Sequence, residues 1–277
     1  MTQSGSGTYQ IGTYEVVRHI AQGSDSSLYE VVCPASGVHR AMKLASKRDI
    51  RIRPLQRTYE SLSRLHHPGI IKVHELSTTD DGRPFLIFDL IDGVPAQVYA
   101  KSLGTPGTTA RTEAVITIGI QLAEALAYLH ANDMVHRDIK SANVLVEPDT
   151  RVRLIDFGSA LMPGATQPPN AEFIGTYTYA PPEQIRGHPV SAHSDLYAMG
   201  VLMYRLLSGV RPFHADSPQE VARMHLEETA VPLTQRLSDL APDVSALVAQ
   251  MMEKERSSRP SGASEVADRL RAGSPLC

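Results

Sequence analysis

The stretch Met134 to Val146, MVHRDIKSANVLV, decides how the rest of the chain must be arranged. It sets Asp138, Lys140 and Asn143 within six residues, and a second acidic motif, Asp156-Phe157-Gly158, begins eighteen residues after Asp138. Apolar, strand-like runs adjoin the two motifs, Val144-Leu145-Val146 and Val152-Arg153-Leu154-Ile155. Two acids and a carboxamide at this spacing suit phosphoryl transfer from a nucleotide to a hydroxyl. That reaction needs an acceptor for the hydroxyl proton and oxygen ligands for the magnesium ions that neutralise the polyphosphate. Asp138 can supply the first, and Asn143 with Asp156 the second. An isolated Asp-Phe-Gly is also an ordinary strand-to-turn junction, so the weight rests on the order and spacing of the pair.

Composition sets the outer bounds. The 277 residues, 42% of them hydrophobic, suffice for one two-lobed domain or two small ones with a sizeable core. A net charge of -3 offers no basic field for a nucleic-acid backbone, so DNA and RNA are discounted as partners. Two cysteines, Cys33 and Cys277, make neither a disulfide framework nor a metal cluster and point to a reducing, cytoplasmic setting. The opening MTQSGSGTYQ is polar and glycine-rich and reads as a disordered tail, not a signal peptide. The most apolar windows, Ala114 to His130 and Leu196 to Leu207, are interrupted by Gln121 and Glu124 and by Arg205. They fall short of the ~20 residues that span a bilayer and read as buried helices, so no membrane segment is expected. The ending at Cys277, soon after the last helical pattern, suits a domain excised from a longer multidomain protein.

His136-Arg137-Asp138-Ile139-Lys140 through Asn143 resembles the catalytic loop of eukaryotic-type serine/threonine protein kinases, and Asp156-Phe157-Gly158 resembles their metal-binding motif. The resemblance covers about residues 14–271 and implies an α+β, bilobal protein kinase-like fold. A small antiparallel-sheet N-lobe with one main helix would occupy 14–91 and a larger, mostly helical C-lobe 92–271, with tails at 1–13 and 272–277. It also implies ATP and Mg2+ (or Mn2+) as cofactors and a protein substrate with a Ser/Thr acceptor. By that resemblance Asp138 orients the substrate hydroxyl and takes its proton, Lys140 steadies the transferring phosphoryl group, and Asn143 and Asp156 hold the metal. The excess of arginine over lysine, the absence of tryptophan and the motif Ser194-Asp195-Leu196-Tyr197-Ala198-Met199-Gly200 give the chain a bacterial character by association.

Upstream, Tyr14 to Ile20 and Leu28 to Cys33 alternate as strands around the turn Gln22 to Ser26. In the resembled family this hairpin is the glycine-rich loop over the phosphates. Here its three glycine positions hold Ala21, Gly23 and Ser26, with Leu28 in the valine position, which implies a stiffer lid and a weaker hold. His39 to Lys43 is the next strand. Lys43 is either an exposed strand-end cation or, by resemblance, the lysine that holds the α- and β-phosphates, with Ala41 and Leu28 above the adenine and Leu145 below. The helix Pro54 to Leu65, anchored by Leu65-His66-His67-Pro68, should carry the glutamate partner of that lysine. Thr58 stands nine residues before His67, where the glutamate is usual, and Glu60 lies roughly 200° around the helix from it. Either the helix is turned so that Glu60 reaches Lys43, or the lysine lacks its usual partner. Pro84 to Leu90 reads as a buried strand. The resemblance sets Phe88 at the rear of the nucleotide pocket and makes Asp89 and Ile91 the backbone partners of adenine, although Phe88 packs equally well as core.

Downstream, Gly93 to Thr112 reads as a loose connection and Thr112 to His130 as a helix with Ile116, Ile120, Ala123 and Ala127 on one face. Asp156 to Glu183 corresponds to the activation segment, with Pro181 in the usual alanine place. Glu183 is expected to pair with Arg259, and Thr176 together with Lys140 matches serine/threonine-specific members. Arg137 implies control by phosphorylation. Asn170 and Pro168 stand where bacterial relatives often carry threonines, leaving Thr166, then Ser159, as acceptors and Glu172 as a fixed negative charge. The expectation is a segment that does not depend on threonine phosphorylation for order. Asp195 should bond the catalytic-loop backbone, a role compatible with helix N-capping by Ser194 or Asp195. Two alternatives stay open. One is a pseudokinase that keeps the fold without turnover, favoured by Ala21, Ser26 and Thr58. The other is a small-molecule kinase of similar fold, disfavoured by Pro181-Pro182-Glu183 and the Ser-Asp-Leu-Tyr segment. The kinase reading requires the carboxylates of 138 and 156, the amide of 143 and the ammonium of 43 to converge on one cleft.

Overall fold

Period-two alternation in the first part of the chain produces one antiparallel sheet. The computed structural model describes residues 9–23, 25–46, 52–164 and 177–273, which divide into a unit of residues 1–66 with 71–92 and a unit of residues 67–70 with 93–277. The first contains β1 (Gln10–Ile11), β2 (Tyr14–Gln22), β3 (Ser26–Val32), β4 (His39–Ala45), α1 (Ile52–Leu62), β5 (Val73–Thr78) and β6 (Pro84–Asp89). The strand order is β1-β2-β3-β4-β6-β5. Directly paired residues of an antiparallel ladder share a face, so the register sorts the side chains. Tyr29 lies opposite Met42, Met42 opposite Ile87 and Leu44 opposite Phe85, and these face a core layer with Ile11, Tyr14 and Val31. Leu28 opposite Lys43, Lys43 opposite Leu86 and Ala41 opposite Phe88 form the other face.

Three details of this unit differ from the sequence reading. Residues 10 and 11 are no tail: Gln10 pairs with Glu15 and Ile11 with Tyr14, and Ile11 is buried because it completes the core layer. β5 has no clean alternation and was not anticipated. Its polar Glu75 is explained by the Tyr14 hydroxyl, which donates to it at 2.5 Å. Helix α1 ends at Leu62, short of Leu65, and packs on β5 and β6.

The second unit contains β7 (Val94–Pro95), α2 (Ala96–Ser102), α3 (Thr109–Ala131), β8 (Val144–Val146), β9 (Val152–Leu154), α4 (Pro182–Ile185), α5 (Ala192–Ser208), α6 (Pro218–Glu227), α7 (Pro242–Met251) and α8 (Ala263–Ala272). Helix α3 packs on α5 and α8, and α5 on α7. Close approach here depends on glycine. A Cβ at Gly119 would lie 2.7 Å from Met203 Cε, and one at Gly200 would lie 2.8 Å from Met251 Cβ. Either methyl would overpack the contact.

Helix α3 is 23 residues long and, by length and composition alone, long and apolar enough to cross a membrane. This corrects the reading of the shorter window as too short. What identifies it as a core helix is its burial: Val115, Ile116, Ile118, Leu122, Ala123, Ala125, Leu126 and Leu129 are all inaccessible. The same pattern corrects the one-face reading, since Ile120 and Ala127 are only half-buried while residues on most of the circumference are buried. The supposed loose connection 93–112 carries β7 and α2, held by burial of the small residues Ala96 and Ala100, which hydrophobic periodicity does not register. The N-cap of α5 is Ser191, not Ser194 or Asp195. Its N–H donates to Ser194 Oγ at 3.0 Å.

Candidate active site

The catalytic-loop stretch is fixed from below by one buried carboxylate. Asp195, 1% exposed at the start of α5, accepts the His136 N–H through Oδ2 (2.9 Å) and the Arg137 N–H through Oδ1 (2.8 Å), and His130 Nε2 also meets Oδ2 at 2.9 Å. Arg137 sits at φ 68°, a left-handed conformation that costs a non-glycine residue about 1–2 kcal/mol. The charge-assisted bonds from Asp195 hold it there. The Arg137 guanidinium is partly withdrawn from water, which pushes its pKa down, and its Nε is buried with no partner among the described residues.

With the backbone held, the functional groups of the loop converge on one oxygen. Lys140 Nζ donates to Asp138 Oδ2 at 2.7 Å and Asn143 Nδ2 donates to the same oxygen at 2.8 Å, and to the Asp138 carbonyl at 2.9 Å. Both side-chain bonds orient the carboxylate, and among the described residues none engages Oδ1. That oxygen is the one suited to receive a hydroxyl proton. With its Nδ2 bonded to Asp138, Asn143 has its side-chain oxygen left to act as an acceptor or a ligand.

The second motif is placed by the short ladder of β8 and β9. Val144 pairs with Leu154, and the Ile155 N–H donates to the Asn143 carbonyl at 2.9 Å. Asn143, just before β8, and Asp156, just after β9, therefore stand at the same end of one hairpin. Asp156 is exposed at φ 60°, and its Oδ1 takes a long bond from the Gly158 N–H at 3.4 Å. Among the described residues no group of three or more His, Cys, Asp or Glu side chains could hold a metal by itself. Two oxygen donors at one hairpin end fit Mg2+, which keeps several waters and binds through one or two protein ligands plus substrate phosphates.

His136 joins the two motifs. It is fully buried, its ring lies 4.7 Å from that of Phe157 in an edge-on arrangement, its Nε2 lies 3.1 Å from the Ile155 carbonyl, and the Asp138 N–H points to its Nδ1 at 3.3 Å. A carbonyl beside Nε2 and an N–H aimed at Nδ1 match a ring that donates through Nε2 and accepts through Nδ1, and burial pushes its pKa down. His225, buried between the Tyr197 hydroxyl (2.9 Å) and the Phe213 ring (4.8 Å), is likewise pushed down to about 3 by burial. Each histidine has a folded pKa below its unfolded value near 6.5, so the unfolded chain binds more protons in that interval. Stability should therefore fall as pH drops below about 6.5, by up to roughly 1.4 kcal/mol per pH unit for each such histidine. Urea midpoints measured from about pH 7.5 down to about pH 5 check this, and a flat profile there contradicts neutral burial.

The platform beneath the site is tied by a buried ion pair. Arg259 donates through Nη1 and Nη2 to Glu183 Oε1 and Oε2, both at 2.9 Å, and Ser194 Oγ donates to Oε1 at 2.6 Å. Burial alone would raise the Glu183 pKa, yet the guanidinium and the hydroxyl hold its carboxyl below the usual range.

In the first unit, Ala21 lies opposite Leu28, which places Ala21, Leu28, Ala41, Lys43 and Phe88 on one face of the sheet. Lys43 is half-buried there. Ala21 follows a register shift in the β2–β3 ladder and Ser26 lies opposite Ala45. Neither has a positive φ, and the Gly23 N–H closes the turn onto the Ser26 carbonyl at 2.8 Å. The two missing glycines thus fall at positions whose backbone does not require the left-handed region. Asp89, expected to serve through its backbone, also accepts from Arg40 (2.8 Å) and meets His74 (2.6 Å) through its side chain. Ile91 and Leu145 are half-buried.

The turned-helix option for Glu60 is not observed. Its side chain is exposed and accepts from Gln56 Nε2 at 3.0 Å, one helical turn away on the solvent side. Thr166 and Thr176, with Pro168, Asn170 and Glu172, lie outside the described residues. Ser159 is exposed in the turn Phe157–Ser159. The roles of His130, and of Ser141, whose Oγ accepts the Gln97 N–H at 2.7 Å, were not read from sequence, because only the folded chain brings their partners near.

The family model described as "Protein kinase domain" matches residues 14–270. The chain is 32% identical over 257 residues to the serine/threonine-protein kinase PknB of Mycolicibacterium smegmatis, with 85% of this chain and 40% of the relative covered. It is 33% identical over 257 residues to the PknB of Mycobacterium tuberculosis, with the same coverage of both chains. A third relative, the DNA damage-responsive serine/threonine-protein kinase RqkA of Deinococcus radiodurans, is 32% identical over 268 residues, covering 94% of this chain and 39% of the relative. The chain spans about 40% of the length of these curated relatives.

Proposed function

Because this chain belongs to the protein kinase domain family, we propose that it transfers the γ-phosphoryl group of ATP to serine and threonine hydroxyls of proteins. The observation that carries the reading is the convergence of Lys140 Nζ and Asn143 Nδ2 on Asp138 Oδ2, at 2.7 and 2.8 Å, in a loop whose backbone Asp195 holds. Asp138 Oδ1 receives the proton of the acceptor hydroxyl and orients its oxygen for in-line attack. Lys140 stands beside it to stabilise charge on the group being transferred, and Lys43 holds the nucleotide phosphates. Asn143 and Asp156 would hold the divalent cation, which when bound neutralises charge on the polyphosphate. The similarity to PknB and RqkA, each named as a serine/threonine-protein kinase, supports the choice of acceptor.

The test is transfer from γ-labelled ATP to a protein carrying Ser, Thr and Tyr, followed by phosphoamino-acid analysis. Label should appear on serine or threonine, require Mg2+ or Mn2+ and stop on chelation. Label confined to tyrosine or to a small-molecule alcohol would contradict the proposal, as would ATP binding by the folded domain without any transfer.

A further inference from the structure

A cavity of about 330 Å³ lies beside the catalytic loop, within the second unit. Its walls include Gln97 and Lys101 from α2, Lys140 and Ser141 from the loop, Tyr179 from the turn Tyr177–Tyr179, and Arg205 from α5. Three of these side chains are cationic, and none of its described lining residues is acidic.

Arg205 is the informative one. It is half-buried in a helix whose residues from Ser194 to Ser208 are otherwise buried. Its Nη1 donates to the Tyr179 hydroxyl at 2.7 Å. Several arginines of this chain have carboxylate partners, Arg223 with Glu220, Glu227 and Glu228 and Arg259 with Glu183, whereas Arg236 donates to the Tyr204 hydroxyl and Arg111 to backbone carbonyls. Of Arg111, Arg205 and Arg236, Arg205 is the one that lines a cavity beside the catalytic loop. Among the described residues no carboxylate lies within ion-pair distance of Arg205 or of Lys101, while Lys140 pairs with Asp138. A cation partly withdrawn from water and bonded to a neutral phenol is stabilised by an incoming anion, and its fixed position lowers the cost of ordering the pair.

Location supplies the source of that anion. Lys140 both lines the cavity and sits 2.7 Å from the Asp138 carboxylate. An extended peptide advances about 3.3–3.6 Å per residue, so a substrate segment presenting its hydroxyl to Asp138 passes the cavity within a few residues of the acceptor. We propose that this cavity receives an anionic side chain of the substrate peptide, a carboxylate or an added phosphate, and that Arg205 and Lys101 make the domain select acceptors with acidic neighbours. The inference deepens the kinase reading and rests on it.

The experiment steps Glu, phosphoserine, Ala or Lys through each position flanking the acceptor of one peptide and reads kcat/KM with the folded domain. At one or two adjacent positions Glu should exceed Ala by roughly fivefold and Lys should fall below Ala. The gain should sit in KM and shrink with added salt. Phosphoserine exceeding Glu identifies a phosphate as the preferred anion, and the reverse identifies a carboxylate. The Glu-to-Ala ratio should fall toward one in Arg205→Gln and in Lys101→Ala. The second change is at an exposed position and keeps the test available if the first fails to fold. Equal rates for Glu, Ala and Lys peptides in the unaltered domain overturn the inference while leaving the kinase reading intact. A preference for Glu that survives both substitutions overturns it as well. No transfer to any peptide removes the kinase reading and this inference with it.

Discussion

Asp138→Asn should lower the turnover of phosphoryl transfer roughly a thousandfold, about 4 kcal/mol of barrier, at nearly unchanged stability and ATP affinity. Asparagine keeps the shape of the side chain and leaves Lys140 and Asn143 an oxygen to bond, so the loop should hold its conformation. What disappears is the negative charge and the basic oxygen. The substrate hydroxyl then loses the acceptor for its proton and the group that aligns it. The measurement is kcat on a Ser/Thr peptide beside a thermal midpoint and a nucleotide titration. Turnover within a fewfold of the unaltered domain would refute the role given to Asp138.

The second large effect is on stability. Arg259→Leu should cost about 3–5 kcal/mol, because it strips the buried Glu183 carboxylate of its bidentate partner and leaves it only the Ser194 hydroxyl and the more distant Arg256 Nε, 3.6 Å from Oε1. Arg259 side-chain exposure is 0% and that of Glu183 4%, so water cannot take over. The same guanidinium also donates to the carbonyls of Glu253 (2.8 Å), His193 (2.9 Å) and Lys254 (3.1 Å), which would be left with fewer donors. The pH dependence has a definite sign. The folded pKa of Glu183 is lowered below its ordinary 4.5, so the pair contributes fully above that value and its contribution is lost as pH falls through the folded pKa. Unfolding curves for Arg259→Leu and the unaltered domain should therefore approach one another in acid. The double change Glu183→Leu with Arg259→Leu should cost less than the sum of the single ones, since the second removes the charge that the first strands. A loss under 1 kcal/mol for Arg259→Leu alone would contradict the account. Function should suffer too, through a continuous chain: Arg259 bonds Glu183, Ser194 Oγ bonds Glu183, and the next residue, Asp195, holds the backbone of the catalytic loop.

What the amino-acid sequence revealed follows from where the determining forces act. The loop around Asp138, the Asp-Phe-Gly turn and the strands beside them were legible because each is a short run whose chemistry lies in neighbouring residues. The bonds from Asp195 to the loop and from Arg259 to Glu183 were legible only through resemblance, because they join residues 58 to 76 positions apart. The elements β1, β5 and α2 escaped notice because they are short and stabilised by pairing or burial elsewhere in the fold. The 23-residue span of α3 was underestimated because Thr109-Ala110-Arg111 carries no large apolar side chain to mark a helical turn. Arg111 is in fact buried, donating to the Leu206 and Gly104 carbonyls. The ambiguity at Glu60 was a question of helix rotation, which sequence leaves open and the solvent-facing Gln56 bond answers. Arg205 looked like an interruption in an apolar window, and its meaning emerged only with the cavity it faces.

In the proposed reaction the loop 134–146 supplies the proton acceptor for phosphate transfer from ATP to a hydroxyl. Single-turnover transfer from γ-labelled ATP, with magnesium and with domain in excess over nucleotide, tests it most directly when the unaltered protein and Asp138→Asn are run side by side at matched nucleotide occupancy. The account predicts rapid appearance of label on serine or threonine with the first and background label with the second. Equal labelling by both proteins, or none by the unaltered domain with magnesium and ATP bound, would contradict it.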